Sequence, residues 1–265
     1  MDPTLEWIYA SECPEGGLSA WRTEDGTWQK PYPEVTGYAI PTLLRWNAHD
    51  LAERCAAWLL KVQNADGSYN GLDGMAHTFD TAAIVEGLRA VGFEPARAVA
   101  WLMTQITSEG FLQNSPTFTS PEIYNLRASA ILGNVAEADY WAKNDLPKGP
   151  IRSHYYAYAL EGLLNMGKIS VVRPILEMAH LQQPGLFPWY VNANWEADRS
   201  LDMDYCATAQ MGVLFERVGL PASHYYDVLK SHIDTNGGFP HGMHDHRQIA
   251  WGAKYWLDFK AMLYG

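Results

Sequence analysis

Carboxylates, imidazoles and phenol groups recur in six short clusters along the chain. These are Tyr32-Pro33-Glu34, His77-Thr78-Phe79-Asp80, Glu122-Ile123-Tyr124-Asn125, His154-Tyr155-Tyr156, Asp202-Met203-Asp204-Tyr205 and His244-Asp245-His246-Arg247. Such groups suit proton transfer to and from a bound substrate. Glycosidic hydrolysis needs two carboxyl groups about 5 to 10 Å apart across the scissile bond. Elimination or epimerisation needs a base such as His or Tyr and a cationic group for the developing enolate. Glu34 and Asp80 are the leading acid and base, with His77, His154, Asp204, His246 and Arg247 as supporting or alternative catalytic groups. Tyr32, Tyr38, Glu122, Asn125, Tyr155, Trp189 and Asp202 are the expected substrate contacts. Trp21, Trp28, Tyr190 and Trp195 lie in or beside turns, where aromatic faces stack on sugar rings.

A repeat positions these clusters. Gly-centred turns followed by an apolar residue recur at Gly16-Gly17-Leu18, Gly67-Ser68-Tyr69, Gly110-Phe111, Gly149-Pro150-Ile151, Gly185-Leu186-Phe187 and Gly237-Gly238-Phe239. Each turn separates two helical patterns, so the spacing predicts twelve helices in six hairpins of roughly 45 residues. Helices before the turns are amphipathic; Leu51, Cys55, Trp58, Leu59 and Val62 recur at helical spacing, and Asp50 with Glu53 reads as a capping box. Helices after the turns, such as Thr81–Leu88, are small-residue-rich and apolar throughout, which marks a buried inner ring. Pro41 inside the first inner helix predicts a kink or an early stop. Parallel inner helices would bring all six clusters to one end, beside the spare N–H donors of the helix N-termini. The expected architecture is all-α, an (α/α)6 toroid over residues 1–265 as one domain.

Composition narrows the partners. The 265 residues are 48% apolar and 18% charged, which excludes disorder and low-complexity classes. A formal charge of -11 argues against nucleic acid and anionic membrane surfaces as partners, and mildly against polyanionic substrates. Three scattered cysteines and a start without an apolar leader fit a reducing, cytoplasmic location, and no window is apolar enough to insert in a membrane. Trp, Tyr and Phe make up 13% of the chain, enough to fill a wide core or line a large groove. No P-loop, dinucleotide fingerprint, nucleophile elbow or H-E-x-x-H is present, and neither cofactor nor metal is expected.

Gln63-x-x-Asp66-Gly67-Ser68-Tyr69 and the repeated Gly turns resemble the α/α-toroid superfamily of squalene-hopene cyclases and protein prenyltransferases. Tyr32–Tyr38 with Ile40–Leu44, His77–Thr81 and Gln248–Asp258 resemble bacterial toroid proteins associated with polysaccharide biosynthesis, which implies the fold and a glycan context. The resulting expectation is a hydrolase, lyase or epimerase acting on a small-molecule or oligosaccharide substrate at the toroid mouth. Alternatives stay open. Asp202–Ala209 is similar to the acid motif of class II terpene cyclases, with Asp204 as proton donor and Tyr205 in place of the last Asp. Asp204 and Cys206 with a later His (His241, His244 or His246) resemble a prenyltransferase zinc site. A non-catalytic glycan-binding module would use the same polar mouth.

Overall fold

The computed structural model describes residues 1–113, 122–146, 149–168, 171–182, 184–198 and 202–265. Twelve α-helices alternate between two rings among these residues. The outer ring comprises α1 (Pro3–Ala10), α3 (His49–Val62), α5 (Ala96–Met103), α7 (Val135–Lys143), α9 (Val172–Ala179) and α11 (Ser223–Lys230). The inner ring comprises α2 (Pro33–Arg45), α4 (Thr78–Ala90), α6 (Leu126–Leu132), α8 (Ser153–Asn165), α10 (Tyr205–Arg217) and α12 (Ala250–Tyr264), with a 3-10 turn at Ile123–Asn125 leading into α6. Each inner helix packs on the next, and α12 closes the circle on α2. The outer helices lie against this ring, α3 spanning α2 and α4, α7 spanning α6 and α8, and α11 spanning α10 and α12. This is the all-α toroid of six hairpins.

Small residues make the inner ring tight. A Cβ on Gly37 would lie 2.7 Å from the Ile84 Cα, and one on Gly87 would lie 2.1 Å from the Gly37 carbonyl oxygen. That contact also answers the expectation for Pro41. The helix does not stop there, but runs on to Arg45. Pro41 has no N–H for the Gly37 carbonyl, and that carbonyl instead faces α4 where Gly87 leaves room.

Each turn carries a glycine at positive φ, and side-chain hydrogen bonds hold the one at Gly67. Asp66 Oδ1 accepts from the Ser68 N–H at 2.9 Å and the Ser68 hydroxyl at 2.7 Å, and Gln63 Nε2 donates to the Gly67 carbonyl at 3.0 Å. Gly67 sits at φ +100, where a side chain would strain the backbone and collide with the Arg97 carbonyl at 2.4 Å. The chain then plunges inward. Leu18, Tyr69 and Phe187 are fully buried, and each donates its backbone N–H to a threonine on the following inner helix: Thr36, Thr81 and Thr208 at 2.9, 3.1 and 3.0 Å. Two-residue antiparallel pairings tie neighbouring turns together, among them β1 (Trp21–Arg22) with β6 (Gln248–Ile249), β2 (Ile151–Arg152) with β4 (Tyr190–Val191) and β3 (Phe187–Pro188) with β5 (Met203–Asp204). The expected capping box at Asp50 does not form. Ala48 is the N-cap of α3, and Asp50 accepts instead from the Tyr9 hydroxyl at 2.6 Å and from Arg54 at 2.9 Å. Among the described residues no helix is long and apolar enough to cross a membrane.

Candidate active site

A cavity of about 390 Å³ opens where the inner helices begin. One wall comes from α2 and α4. Tyr32 is the N-cap residue of α2, and its hydroxyl donates to Asp80 Oδ2 at 2.8 Å while also interacting with Glu34. Glu34 lies in the first turn of α2 and Asp80 in the first turn of α4, so two carboxyl groups flank one phenol. Burial pushes the Glu34 carboxyl up to about 7, against the pull of the Tyr32 hydrogen bond and of Arg127. Asp80 is held well above the carboxylate range by burial first and by the charge of Glu34 second. Glu34, eased by Arg127, therefore ionises first, and its charge keeps the proton on Asp80. His77 precedes α4, and its Nε2 lies 2.9 Å from Asp73 Oδ2. A Cβ on Gly71 would touch both the His77 ring and Asp80, so this turn closes directly over the pair.

The remaining wall comes from the other hairpins. Tyr124 and Tyr155 face the cavity with ring centroids 5.0 Å apart, and Tyr38, Tyr158 and Trp251 also line it. His154 is buried; Gln210 Oε1 lies 2.5 Å from its Nδ1 and the Cys206 sulfur 3.5 Å from the same nitrogen. Burial, reinforced by Arg152, pushes its pKa down to about 3, so the ring is neutral at neutral pH. His241, also lining the cavity, is pushed by burial down to about 4. Asp245 organises this side, since its carboxylate lies 2.9 Å from His241 Nδ1 and accepts from Arg247 Nε at 2.8 Å. Arg247 lines the cavity beneath Trp21, 5.6 Å from the ring centre. Arg152 lies on the Trp189 ring at 4.4 Å and near Tyr155 at 5.3 Å.

Beneath the cavity the axis is polar. Arg127 is fully buried and pairs with Glu86 at 2.5 Å and Glu161 at 3.4 Å, its guanidinium about 6 Å from the rings of Tyr38, Phe79 and Tyr158. Glu161 also accepts from the Tyr255 hydroxyl at 3.0 Å. Lower still, Asp258 takes Arg45 at 2.7 Å, Lys254 at 2.8 Å and the Thr42 hydroxyl at 2.9 Å.

Several expected site residues lie elsewhere. Asp204 is not on the cavity; it is the N-cap of α10, accepting the Ala207 N–H at 2.8 Å, and burial pushes its carboxyl up to about 6. Asp202 accepts four backbone N–H groups, from Met203, Met243, His244 and Asp245, and so pins the loop that carries His241 and Arg247. Asn125 points away, donating to the Leu112 carbonyl at 3.2 Å. Glu122 is the N-cap of the 3-10 turn and interacts with the Tyr124 hydroxyl without lining the cavity. His246 is exposed, and the histidine that reaches the cavity from this loop is His241. Trp189 stands behind the lining, against Arg152 and His241. Of the rim aromatics, Trp28 packs on Trp7 at 4.9 Å and Trp195 on Tyr156 at 4.9 Å. Among the described residues, no three His, Cys, Asp or Glu side chains converge as a metal site.

Arg152, Tyr124, Tyr158, Phe79, Leu72 and Trp251 line the cavity without having been named as site residues, and His241, named only as a possible zinc ligand, lines it too. Arg152 stands two residues ahead of His154 and Trp251 one turn past the last cluster, so extending each cluster by a helical turn would have found them.

No family model and no curated protein matches the chain by sequence. Solved structures do match by shape. An α-amylase from Clostridium perfringens is similar at a TM-score of 0.77 and 12% identity, over 100% of this chain and 98% of that one. The type II terpene cyclase MstE from Scytonema is similar at 0.73 and 14% identity, over 98% of this chain and 95% of that one. An unsaturated glucuronyl hydrolase specific for heparin is similar at 0.70 and 14% identity, over 98% and 94%. At such identities the likeness establishes the toroid fold.

Proposed function

We propose that the protein is a glycan-acting enzyme, a glycoside hydrolase whose working pair is Asp80 as general acid and Glu34 as base or nucleophile. The observation that carries this is the Tyr32 hydroxyl set between two carboxyl groups, with the charge of Glu34 opposing ionisation of Asp80. Asp80 protonates the leaving-group oxygen, and Glu34 attacks the sugar carbon or activates water. Tyr32 keeps both side chains aimed at the cavity. The cavity wall, rich in hydroxyl, imidazole and guanidinium groups, suits a hydroxylated substrate.

The same features speak against the other chemistries. A lyase or epimerase would rely on a Tyr or His base, but burial raises the phenols of Tyr32, Tyr38, Tyr124 and Tyr158 above their usual range and makes His154 and His241 weak bases. A terpene cyclase stabilises carbocations, and here the Arg127 guanidinium lies about 6 Å from three aromatic rings that line the cavity. Asp204, matched to the cyclase proton donor, caps a helix instead. The α-amylase, the glucuronyl hydrolase and a third neighbour described as a glycosidase share the fold, which supports a glycan substrate by analogy.

The test is an oligosaccharide panel incubated in isotopically labelled water and read by mass spectrometry. Cleavage with uptake of one water is expected, and Asp80→Asn or Glu34→Gln should slow it by about 10²- to 10⁴-fold while substrate affinity persists. Undiminished cleavage in both variants, or an unsaturated or deuterated sugar product, would overturn the assignment. Turnover of none of the panel alongside tight binding would favour a binding module.

A further inference from the structure

Arg152 ends β2 and is the N-cap residue of α8, and its side chain lines the cavity. Its lack of an ion pair among the described residues separates it from Arg247, which also lines the cavity, and from Arg127, buried beneath it. Arg127 is ion-paired with Glu86 and Glu161, and Arg247 is ion-paired with Asp245. Among the described residues no carboxylate pairs with Arg152, and its buried Nε has no hydrogen-bond partner. Asp204, an acid that its charge reaches, is committed to capping α10. A donor left unmet in a half-buried place is a standing cost to the fold.

The guanidinium is nevertheless held. Trp189 at 4.4 Å and Tyr155 at 5.3 Å pack against it, which fixes its plane and leaves its N–H groups to donate in that plane. Around the closed ring of six, α8 stands three hairpins from α2, so Arg152 faces Glu34 from the opposite wall. In a chain of net charge -11 this cation cannot serve as part of a general anion-attracting surface. The Arg152 side chain lines the cavity on the wall opposite the carboxyl pair, without a carboxylate partner among the described residues.

We infer that Arg152 is the subsite for a carboxylate on the substrate, so that the cavity takes an acidic saccharide carrying a uronic acid residue. A planar carboxylate matches a guanidinium edge through two parallel hydrogen bonds, and the sugar ring beside it has Tyr155 and Tyr124 to lie against. The assignment rests on the glycan reading above and names its substrate class. With the carboxylate anchored at α8, the bond to be cleaved lies toward α2 and α4, which couples recognition to the position of Glu34 and Asp80.

The experiment is calorimetric titration of the Glu34→Gln protein with three matched oligosaccharides ending in glucuronic acid, glucose or a sulfated glucose. The acidic sugar should bind on the order of 10- to 100-fold more tightly than the neutral one. Arg152→Gln should abolish that ratio, and Arg152→Lys, which keeps the charge without the planar fork, should leave it intermediate. Circular dichroism checks that both variants fold, and the comparison of acidic with neutral sugar needs neither of them. Equal affinities, a ratio unchanged in Arg152→Gln, a sulfated sugar bound as well as the carboxylate, or binding of no sugar would each overturn the assignment. Discrimination without cleavage by the wild-type chain would leave the carboxylate subsite standing and remove the hydrolase. Cleavage of neutral sugars without discrimination would do the reverse.

Discussion

The mouth and the axis of the toroid both bury charge, and they treat it in opposite ways. Along the axis each charge meets its complement: Arg127 with Glu86 and Glu161, Asp258 with Arg45 and Lys254. Burial opposes the charge of Glu161, yet Arg127 and Lys254 overcome it and hold that carboxyl below its usual range. At the mouth, two carboxyl groups share one phenol and a guanidinium has no counter-ion among the described residues. The same inner helices build both layers, so the difference does not come from the fold. A scaffold that can pair its buried charges, and leaves Glu34, Asp80 and Arg152 at the cavity without a direct ion pair among the described residues, keeps them for a ligand.

The comparison can be broken first on the axis. Removing Arg127 as Arg127→Met strands Glu86 and Glu161, and a loss of about 3–5 kcal/mol in denaturant unfolding is expected. A loss under about 1 kcal/mol would mean the axis tolerates unpaired charge as the mouth does, and the contrast would lose its meaning.

Glu137 sharpens it next. This residue of α7 is fully buried away from the cavity, accepting from the Ser129 hydroxyl at 2.6 Å and the Leu112 N–H at 3.4 Å, and burial pushes it up to about 7 from 4.5. A raised carboxyl stabilises the fold fully below its unfolded pKa and loses that contribution as pH climbs through the folded one. Between about pH 4.5 and pH 7 and just above, Glu137 should cost about 3 kcal/mol that Glu137→Gln avoids. The stability difference between variant and wild type, measured at pH 5 and pH 8, checks this. It also separates a carboxyl raised for structural reasons from Glu34, whose titration should appear in turnover.

Tyr32 tests that second half. Its hydroxyl favours the ionised form of Glu34, so Tyr32→Phe should raise the Glu34 pKa further. The rising limb of kcat/KM, expected near pH 7, should move up by about one pH unit. An unmoved limb would detach Tyr32 from the pair. The smallest effect belongs to His246, where the exposed ring predicts changes within about 0.5 kcal/mol in stability and in turnover free energy for His246→Ala.

The hairpins were legible because their signals are local. A glycine at positive φ and an apolar residue that dives inward lie within a few residues of one another and recur with the repeat. Glu34, Asp80, His77, His154, Tyr32, Tyr38, Tyr155 and Arg247 lie on the cavity because helix starts on one ring must share an end. Asp204 and Asp202 stood at the same kind of position and were spent on a helix cap and a loop, since cap and catalyst use the same residue types.

Sequence alone thus determined the rings, the turns and the end at which polar side chains gather, all consequences of periodicity and steric fit over a few residues. Only tertiary structure decided which side chains face the cavity and which charges find partners. Glu34 meets Asp80 across 46 positions, Arg127 meets Glu86 across 41, and Arg152 meets no carboxylate among the described residues, because ion pairing depends on distances in space that no local pattern records.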